Sequence, residues 1–301
     1  MPNNDSDTQT DAATIKFALP KGRMAKSVTQ LLADAGIRVR ETARGYRPEI
    51  NLPGYDVKIL KPRAIIEMLH EGARDLGFAG ADWVEEHCLT GELVELLDTK
   101  LDPVRLVAAA PAEILVDGKL PTDLGRPLVV ASEYTELTHR WITTNTLDAK
   151  LLRSYGATEV LPPEDADCII DNTATGATLQ ANGLKIIDEV MRSSTRLYAN
   201  PAALKDPNKK AAIDDFITLV QSVLEARTRV MLELNVAEAD LTAVVDALPA
   251  MRQPTIATVH ASSGFAVKAA VPRKDLPTLI PALKAAGGAD LVITNPEQIV
   301  P

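Results

Sequence analysis

Basic excess, aromatic residues, cysteine and long apolar runs are all scarce in this chain of 301 residues, and each scarcity closes off a class of function. Lys and Arg number 32 against 41 Asp and Glu, a formal charge of −9, so no general basic field is available to hold nucleic acid. The longest apolar run, Leu106–Pro111, is far short of the roughly 20 residues that cross a bilayer. The first 13 residues carry three Asp and no Lys or Arg; they read as a disordered leader rather than a secretory signal. Cys88 and Cys168 stand far apart without companions, which gives neither a zinc spacing nor a disulfide framework. Cys168, in the run Cys168-Ile169-Ile170, reads as a buried small hydrophobe, and the expected compartment is the cytoplasm. Apolar residues still make up 46%, with only 4 Phe, 2 Trp and 5 Tyr among them. The cores must be aliphatic, the usual texture of α/β proteins.

Strand and helix signals alternate through the first two thirds. Ile15–Leu19 is stopped by Pro20, and Ala25–Ala35 puts Val28, Leu31, Leu32 and Ala35 on one helical face. A strand at Val57–Leu60 precedes a helix opened by Pro62, and a strand at Leu76–Ala79 precedes Asp82, the expected N-cap of a helix over Trp83–Cys88. Two strands, Leu93–Leu97 and Val104–Ala109, complete this alternating series, and a second unit runs from about Arg105 to Lys185. It holds strands at Leu128–Ala131, Lys150–Tyr155 and Asp167–Ile170 around a helix at Glu136–Thr144. Two more strands, Ile186–Met191 and Arg196–Ala199, cross back, and Asp206–Ala226 is a long amphipathic connector with Ile213, Phe216, Ile217, Val220 and Leu224 inward. The tail, with strands at Val230–Val236, Thr255–Ala261, Phe265–Val271 and Leu291–Thr294 and helices at Ala239–Leu248 and Leu276–Ala286, has the βαββαβ order of a ferredoxin-like domain.

The stretch richest in chemistry is Asp171-Asn172-Thr173-Ala174-Thr175-Gly176-Ala177-Thr178-Leu179. An apolar strand ends in an acid, and small hydroxyl residues with one glycine lead straight into a helix. Such a loop offers backbone N–H groups, Thr175 and Thr178 hydroxyls and a close approach at Gly176, which suits a phosphate monoester; Asp171 can accept from sugar hydroxyls. The same residues fit a polar strand–helix turn whose threonines only cap the helix. Neither a Walker A lysine nor a G-x-G-x-x-G accompanies it.

This loop, continued by Asn182-Gly183-Leu184, resembles the 5-phosphoribosyl-1-pyrophosphate (PRPP) signature of the ATP phosphoribosyltransferase family. Ala18-Leu19-Pro20-Lys21-Gly22-Arg23 is similar to that family's N-terminal motif, and Gly72–Asp82 to its Gly- and Asp-rich motif. Leu101-Asp102 with Arg105-Leu106, Gly156–Glu159 and Pro254-Thr255-Ile256 also fit, so the resemblance to the long form spans about residues 15–300. Three departures stand out. Lys61 and Ala64 occupy positions where the family usually has Arg and Asp, Asn172 replaces an aliphatic residue, and Pro162–Asp165 is shorter than the common form. Lys61 offers a point charge in place of a bidentate grip, and Arg63 stands next to it.

The resemblance implies an α/β fold: a two-lobed, periplasmic-binding-protein-like catalytic unit plus a C-terminal ferredoxin-like (ACT-like) domain. By the same resemblance, residues 14–104 with about 186–200 form lobe I, 105–185 lobe II, 201–226 the connecting helix and 227–301 a regulatory domain. The implied reaction joins ATP and PRPP to phosphoribosyl-ATP and pyrophosphate with Mg²⁺, the first step of histidine biosynthesis. Asp171, Thr173, Ala174, Thr175, Gly176, Ala177 and Thr178 would bind PRPP, with Asp171 also reaching the metal through substrate. Lys21, Gly22, Arg23, Lys61, Arg63, Gly80, Asp82 and Arg105 would bind ATP and phosphates. No acid–base residue is assigned, because adenine N1 already carries its lone pair. Histidine and AMP would inhibit, with Asn235, Thr255 and Gly288 facing histidine, and the chain would assemble as a homo-oligomer from dimer to hexamer. Nucleic acid and membrane partners are not expected.

Two other classes fit parts of the pattern: a two-lobed module that binds small molecules without catalysis, and a regulatory paralogue of the enzyme. The four histidines, His70, His87, His139 and His260, show no metal spacing and read as surface or packing residues. Glu85-Glu86 and Asp214-Asp215 read as solvated faces, and Trp83 and Trp141 as packing residues.

Overall fold

Alternate residues of one strand feed two different cores, and this fixes the architecture of the larger unit. On the strand through residues 106–110, Leu106, Ala108 and Ala110 enter one buried cluster, while Val107 and Ala109 enter another on the opposite face. Cys168 and Ile170 join the first and Ile169 the second, so the sheet is covered on both sides, as the continuous apolar runs require. Burial pushes the Cys168 thiol up to about 12, the behaviour of an inert packing group.

The computed structural model describes residues 14–43, 45–121, 124–260 and 263–300. The expected leader, Ala261 at the end of an expected strand and Ser262 in the turn expected after it lie outside them. In chain order the elements are β1 (Ile15–Pro20), α1 (Arg23–Asp34), β2 (Val39–Arg40), β3 (Glu49–Ile50), β4 (Tyr55–Leu60), α2 (Pro62–His70), β5 (Leu76–Gly80) and α3 (Ala81–Glu86). Next come β6 (Val94–Pro111), β7 (Leu128–Ser132), α4 (Thr135–Thr144), β8 (Ala149–Arg153), β9 (Cys168–Thr173), α5 (Ala177–Ala181), β10 (Leu184–Ala199) and α6 (Pro207–Thr228). The last are β11 (Arg229–Ala237), α7 (Leu241–Ala247), β12 (Thr255–Thr258), β13 (Gly264–Pro272), α8 (Leu276–Ala285) and β14 (Ala289–Thr294). Two compact units divide them: one built from residues up to Gln30 and from Arg38 to Ile213, the other from Leu31–Ile37 and from Asp214 onward.

The first unit holds an eight-stranded mixed sheet in the order β4-β1-β5-β10-β6-β9-β7-β8. β4, β1 and β5 run parallel in one half, β9, β7 and β8 in the other, and the antiparallel ribbon β6–β10 passes through both. That ribbon corrects the sequence reading. The strands expected separately at Leu93–Leu97 and Val104–Ala109 are one strand of 18 residues, and Ile186–Met191 and Arg196–Ala199 are one of 16. The polar stretch between them reads as a loop but stays paired. Thr99 Oγ1 donates to the Thr195 carbonyl at 2.6 Å, Ser194 Oγ to Asp98 at 2.8 Å and Thr195 Oγ1 to Asp102 at 2.9 Å. The irregularity appears instead as left-handed Lys100 and Asp102 and as register shifts along β10. The short pair β2–β3 has too little periodicity to be read from sequence.

Glu86 is a second correction. Expected on a solvated face, it is buried, and its carboxylate accepts from the backbone N–H groups of Thr135 (2.6 Å), Glu136 (3.2 Å) and Leu137 (3.1 Å). A carboxylate from α3 thus caps α4, supplying acceptors that Tyr134, at the N-cap position, does not provide. Glu86→Ala should destabilise the fold by about 2 kcal/mol in urea titration, the worth of a cap plus buried charge-assisted bonds; a loss under about 0.5 kcal/mol would contradict that role. Neighbouring Glu85 does stay near solvent and pairs with Arg140.

At the far end of the sheet, Arg126 grips Asp167 through both oxygens, at 2.7 and 2.8 Å, while Val129 N–H donates to the same carboxylate. The Arg126 hydrogen bonds hold the Asp167 carboxyl below the usual carboxylate range. A depressed folded pKa gives stability that is present above the unfolded value and lost as pH falls through the folded one. Arg126→Ala should therefore lower stability at pH 8, and the deficit should shrink as pH falls below about 4 and the carboxyl protonates, as read by urea titrations at a series of pH values.

The second unit carries a four-stranded antiparallel sheet in the order β12-β13-β11-β14. Val230, Leu232, Leu234 and Val236 alternate inward along β11 and meet Val244, Leu279 and Leu283 of α7 and α8. Ile213, Phe216 and Val220 of α6 are buried as expected; Val223 and Ala226 are buried too, whereas Ile217 and Leu224, also expected inward, are half-buried. No described helix is long and apolar enough to cross a membrane.

Candidate active site

The register of the ribbon shows where ligands can gather. Gly80, at the carboxyl end of β5, lies opposite Thr195, and Thr173, at the carboxyl end of β9, lies opposite Arg105. Thr195 in turn pairs with Leu101, and Arg105 with Arg192, so the parallel strands of both halves point their carboxyl ends at the middle of β6–β10. In open α/β sheets that is the place for a ligand crevice.

The loop after β9 lies on this line. Gly176 is the N-cap of α5 at φ +85°, a left-handed conformation, and a Cβ there would meet only Ile186 Cδ1 at ordinary contact distance. Thr173 is buried and accepts from the Gly176 N–H at 2.9 Å; Thr175 accepts from the Ala177 N–H at 3.3 Å. Ala174, Thr175, Ala177 and Thr178 are exposed around them. The loop is therefore preformed by its own hydroxyls and open to a ligand. Asp171, half-buried at its base, accepts from the Asn172 N–H at 2.7 Å. Burial, with Glu159 and Glu133 adding negative potential, pushes its carboxyl up to about 6.

Asp82 is placed otherwise than expected. Gly80 is the N-cap of α3, and Asp82 sits buried inside the first turn. Tyr134 donates its phenol to Asp82 Oδ2 at 2.6 Å, Ser193 Oγ donates to Oδ1 at 2.7 Å, and the Asp82 N–H donates to Ser193 Oγ at 3.1 Å. A cap needs its side chain free for the helix's own N–H groups, and these partners consume it. A Cβ on Gly80 would run into that carboxylate. Asn172 Nδ2 donates to the Tyr134 hydroxyl at 3.1 Å, joining the loop to the same group. Burial and the Asp82 charge hold the Tyr134 phenol well above its ordinary value.

A cavity of about 270 Å³ opens between the halves, lined by Lys61, Pro62, Arg63 and Trp83 from one side and Glu133, Arg153, Ser154 and Tyr155 from the other. Arg63 pairs with Glu67 at 3.0 Å and lies 5.9 Å from the Trp83 ring, which stacks on Tyr134 at 4.8 Å. The structure thus brings Lys61 and Arg63 together. Lys21 is half-buried just past β1, its Nζ 5.1 Å from the Tyr46 ring, and Gly22 and Arg23 are exposed beside it. Arg105 pairs with Glu189 at 3.6 Å. Glu133, Arg153 and Tyr155 escaped the sequence reading; their signal is position, since they lie at or just past the carboxyl ends of β7 and β8.

His70 and His87 pair with Glu92 and Glu67, and among the described residues no His, Cys, Asp and Glu are grouped to hold a metal ion. In the second unit Asn235 donates to Asp290 at 3.1 Å beside a cavity of about 480 Å³ lined by Ser263, Gly264, Gly287 and Ala289 among others. Thr255 is exposed on β12, across β13 from β11, and Gly288 is buried with its N–H on the Leu283 carbonyl; neither lines that cavity.

Comparison with known proteins fits this geometry. The family model described as ATP phosphoribosyltransferase matches residues 61–222, and the one described as HisG, C-terminal domain, matches 226–297. The ATP phosphoribosyltransferase of Pelotomaculum thermopropionicum is 34% identical over 95% of this chain and 99% of its own length. That of Chlorobaculum parvum is 33% identical over 91% and 93%. Among solved structures, a chain of the ATP phosphoribosyl transferase (HisG:HisZ) complex from Thermotoga maritima aligns at a TM-score of 0.61 and 25% identity, over 70% of this chain and 99% of that one. The chain belongs to the ATP phosphoribosyltransferase family.

Proposed function

We propose that the chain transfers the 5-phosphoribosyl group of PRPP to N1 of ATP, giving phosphoribosyl-ATP and pyrophosphate, as the first step of histidine biosynthesis. The observation that carries this reading, beside family membership, is the preformed loop after β9, with Asp171 at its base near enough to Glu133 of the Lys61–Arg63 cavity to feel its charge. In it, Thr173, Ala174, Thr175, Gly176, Ala177 and Thr178 hold the 5-phosphate through N–H groups and hydroxyls, and Asp171 accepts from the ribose. Lys21, Gly22, Arg23, Lys61, Arg63, Gly80 and Arg105 line the ATP and pyrophosphate side, with Asp82 acting from within through Tyr134. Two polyanions meet in an acidic chain, so these local cations provide the attraction, and catalysis consists of positioning and of stabilising the leaving charge.

A divalent cation suits the oxygen donors present. Among the described residues Asp171 has no ion-pair partner, and burial, with Glu159 and Glu133 nearby, raises its pKa. With no protein cluster among the described residues to cage an ion, Mg²⁺ would travel on the pyrophosphate and touch the protein at Asp171. Bound there, it would neutralise charge on the departing pyrophosphate.

The second unit reads as a ferredoxin-like, ACT-like regulatory domain, supported by its βαββαβ order and its sheet order. Asn235, Thr255 and Gly288 are the residues assigned to inhibitory histidine; Asn235, beside the Asp290 carboxylate and an open cavity, is the best placed to meet an ammonium group. AMP would compete at the ATP side. The enzyme is read as a cytoplasmic homo-oligomer, dimer to hexamer, and the two-lobed architecture as one half-sheet on each side of β6–β10. The test is pyrophosphate release from purified protein with PRPP, ATP and Mg²⁺, each omitted in turn, then repeated with histidine. Release that needs all three and falls with histidine supports the whole reading. Release indifferent to histidine removes the regulatory assignment, and absence of release removes the transferase.

A further inference from the structure

Asn172 belongs to the loop-bearing strand, and its side chain is linked through the Tyr134 hydroxyl, just ahead of α4, to the Asp82 carboxylate of α3 in the other half of the sheet. Its Nδ2 donates to the Tyr134 hydroxyl at 3.1 Å, Tyr134 donates to Asp82 Oδ2 at 2.6 Å, and Ser193 donates to Asp82 Oδ1 at 2.7 Å. Each direction is forced. A carboxylate only accepts, so the phenol hydrogen points at Asp82 and a phenol lone pair remains for the amide. Tyr134 is 1% exposed and its ring is stacked on Trp83, so the acceptor is fixed in place. At the same residue, the backbone N–H of Asn172 donates to Asp171 Oδ1 at 2.7 Å. One residue therefore holds Asp171 with its main chain and, with its side chain, joins the Tyr134 hydroxyl that reaches Asp82 of the opposite half.

We infer that Asn172 is a positioning residue for the phosphoribosyl substrate: its amide clamps the end of β9 to the Tyr134–Asp82 pair and so sets the peptide that aims the Asp171 carboxylate. This rests on the reading of the 171–178 loop as the PRPP cradle. An aliphatic side chain at this position keeps strand geometry and the backbone bond. Asp82 keeps Tyr134 and Ser193, so no buried charge is stripped. The loss falls on alignment of the loop rather than on the fold.

The test is steady-state kinetics of the full chain and of Asn172→Val, Tyr134→Phe and the double variant, with thermal midpoints alongside. Asn172→Val should raise the KM for PRPP about tenfold, the upper worth of one such bond, with the KM for ATP and kcat within about threefold and the midpoint within about two degrees. In the Tyr134→Phe background the same substitution should add less than about twofold, because the amide has already lost its acceptor. An unmoved KM for PRPP, an equal rise in both KM values, or a full tenfold effect retained without the Tyr134 hydroxyl would overturn the inference. Absence of PRPP turnover in the parent chain would overturn the cradle reading and this inference with it, whereas turnover with an unmoved KM overturns the inference alone.

Discussion

Gly176→Val should lower kcat/KM for PRPP by about 100-fold or more while the chain still unfolds cooperatively within a few degrees of its parent. The backbone at Gly176 is left-handed, φ +85°, and a β-branched residue is strained there by about 1–3 kcal/mol. Space is not the obstacle, since a Cβ would only touch Ile186 Cδ1 at 3.5 Å. The loop escapes the strain by rotating its peptides, and that turns the Gly176 and Ala177 N–H groups away from the hydroxyls of Thr173 and Thr175 that now align them. N–H groups that are to meet a phosphate lose both their direction and their close approach, and preorganised donors of this kind are worth about 100-fold or more each. The measurement is pyrophosphate release against PRPP concentration with a thermal scan in parallel. Turnover within about threefold of the parent would mean that phosphate does not sit at this loop.

Much of this candidate site is legible in the sequence because its residues are local to one stretch of chain. Asp171 through Thr178 are contiguous, and strand, acid, hydroxyls, glycine and helix succeed one another in an order that backbone geometry alone can interpret. The strand and helix alternation is equally local, so most elements of both units fall within a few residues of where periodicity puts them. What the sequence hides is long-range. Glu86 looks like half of a solvated acidic pair until α4, 49 residues away, presents its N–H groups. Asp82 has the look of a helix cap, and only Tyr134 and Ser193, one from each neighbouring element, turn it into a buried node. The ribbon β6–β10 is misread as four strands because its polar middle carries the hydroxyl bonds of Thr99, Ser194 and Thr195 that mimic a loop composition. Arg153, Ser154 and Tyr155 carry no motif at all; they line the cavity because β8 happens to end there.

Asp171→Asn separates the demands of binding from those of folding, because the two act on this carboxylate in opposite directions. Burial, with Glu159 and Glu133 nearby, pushes its pKa up to about 6, above the value near 3.8 of a free carboxyl. A folded pKa that is raised means the native chain holds a proton that the unfolded chain has already released between about pH 4 and 6. Stability from this group therefore declines as pH rises through that window, and above it the ionised carboxylate costs the free protein about 1–3 kcal/mol. Asparagine is nearly isosteric and its carbonyl still accepts from the Asn172 N–H, so the variant keeps the local geometry and discards the charge. At pH 8 Asp171→Asn should raise the thermal midpoint by several degrees, and the advantage should shrink as the pH is lowered toward 5. The same variant should lose about 100-fold in kcat/KM for PRPP, since neither ribose hydroxyls nor a pyrophosphate-bound cation finds its anionic partner. A midpoint gap that stays constant from pH 8 to 5 would show that the charge carries no folding cost. A more stable variant of undiminished activity would remove Asp171 from the substrate altogether. The predicted combination, stability gained where activity is lost, is what a carboxylate held ready for a cation should give.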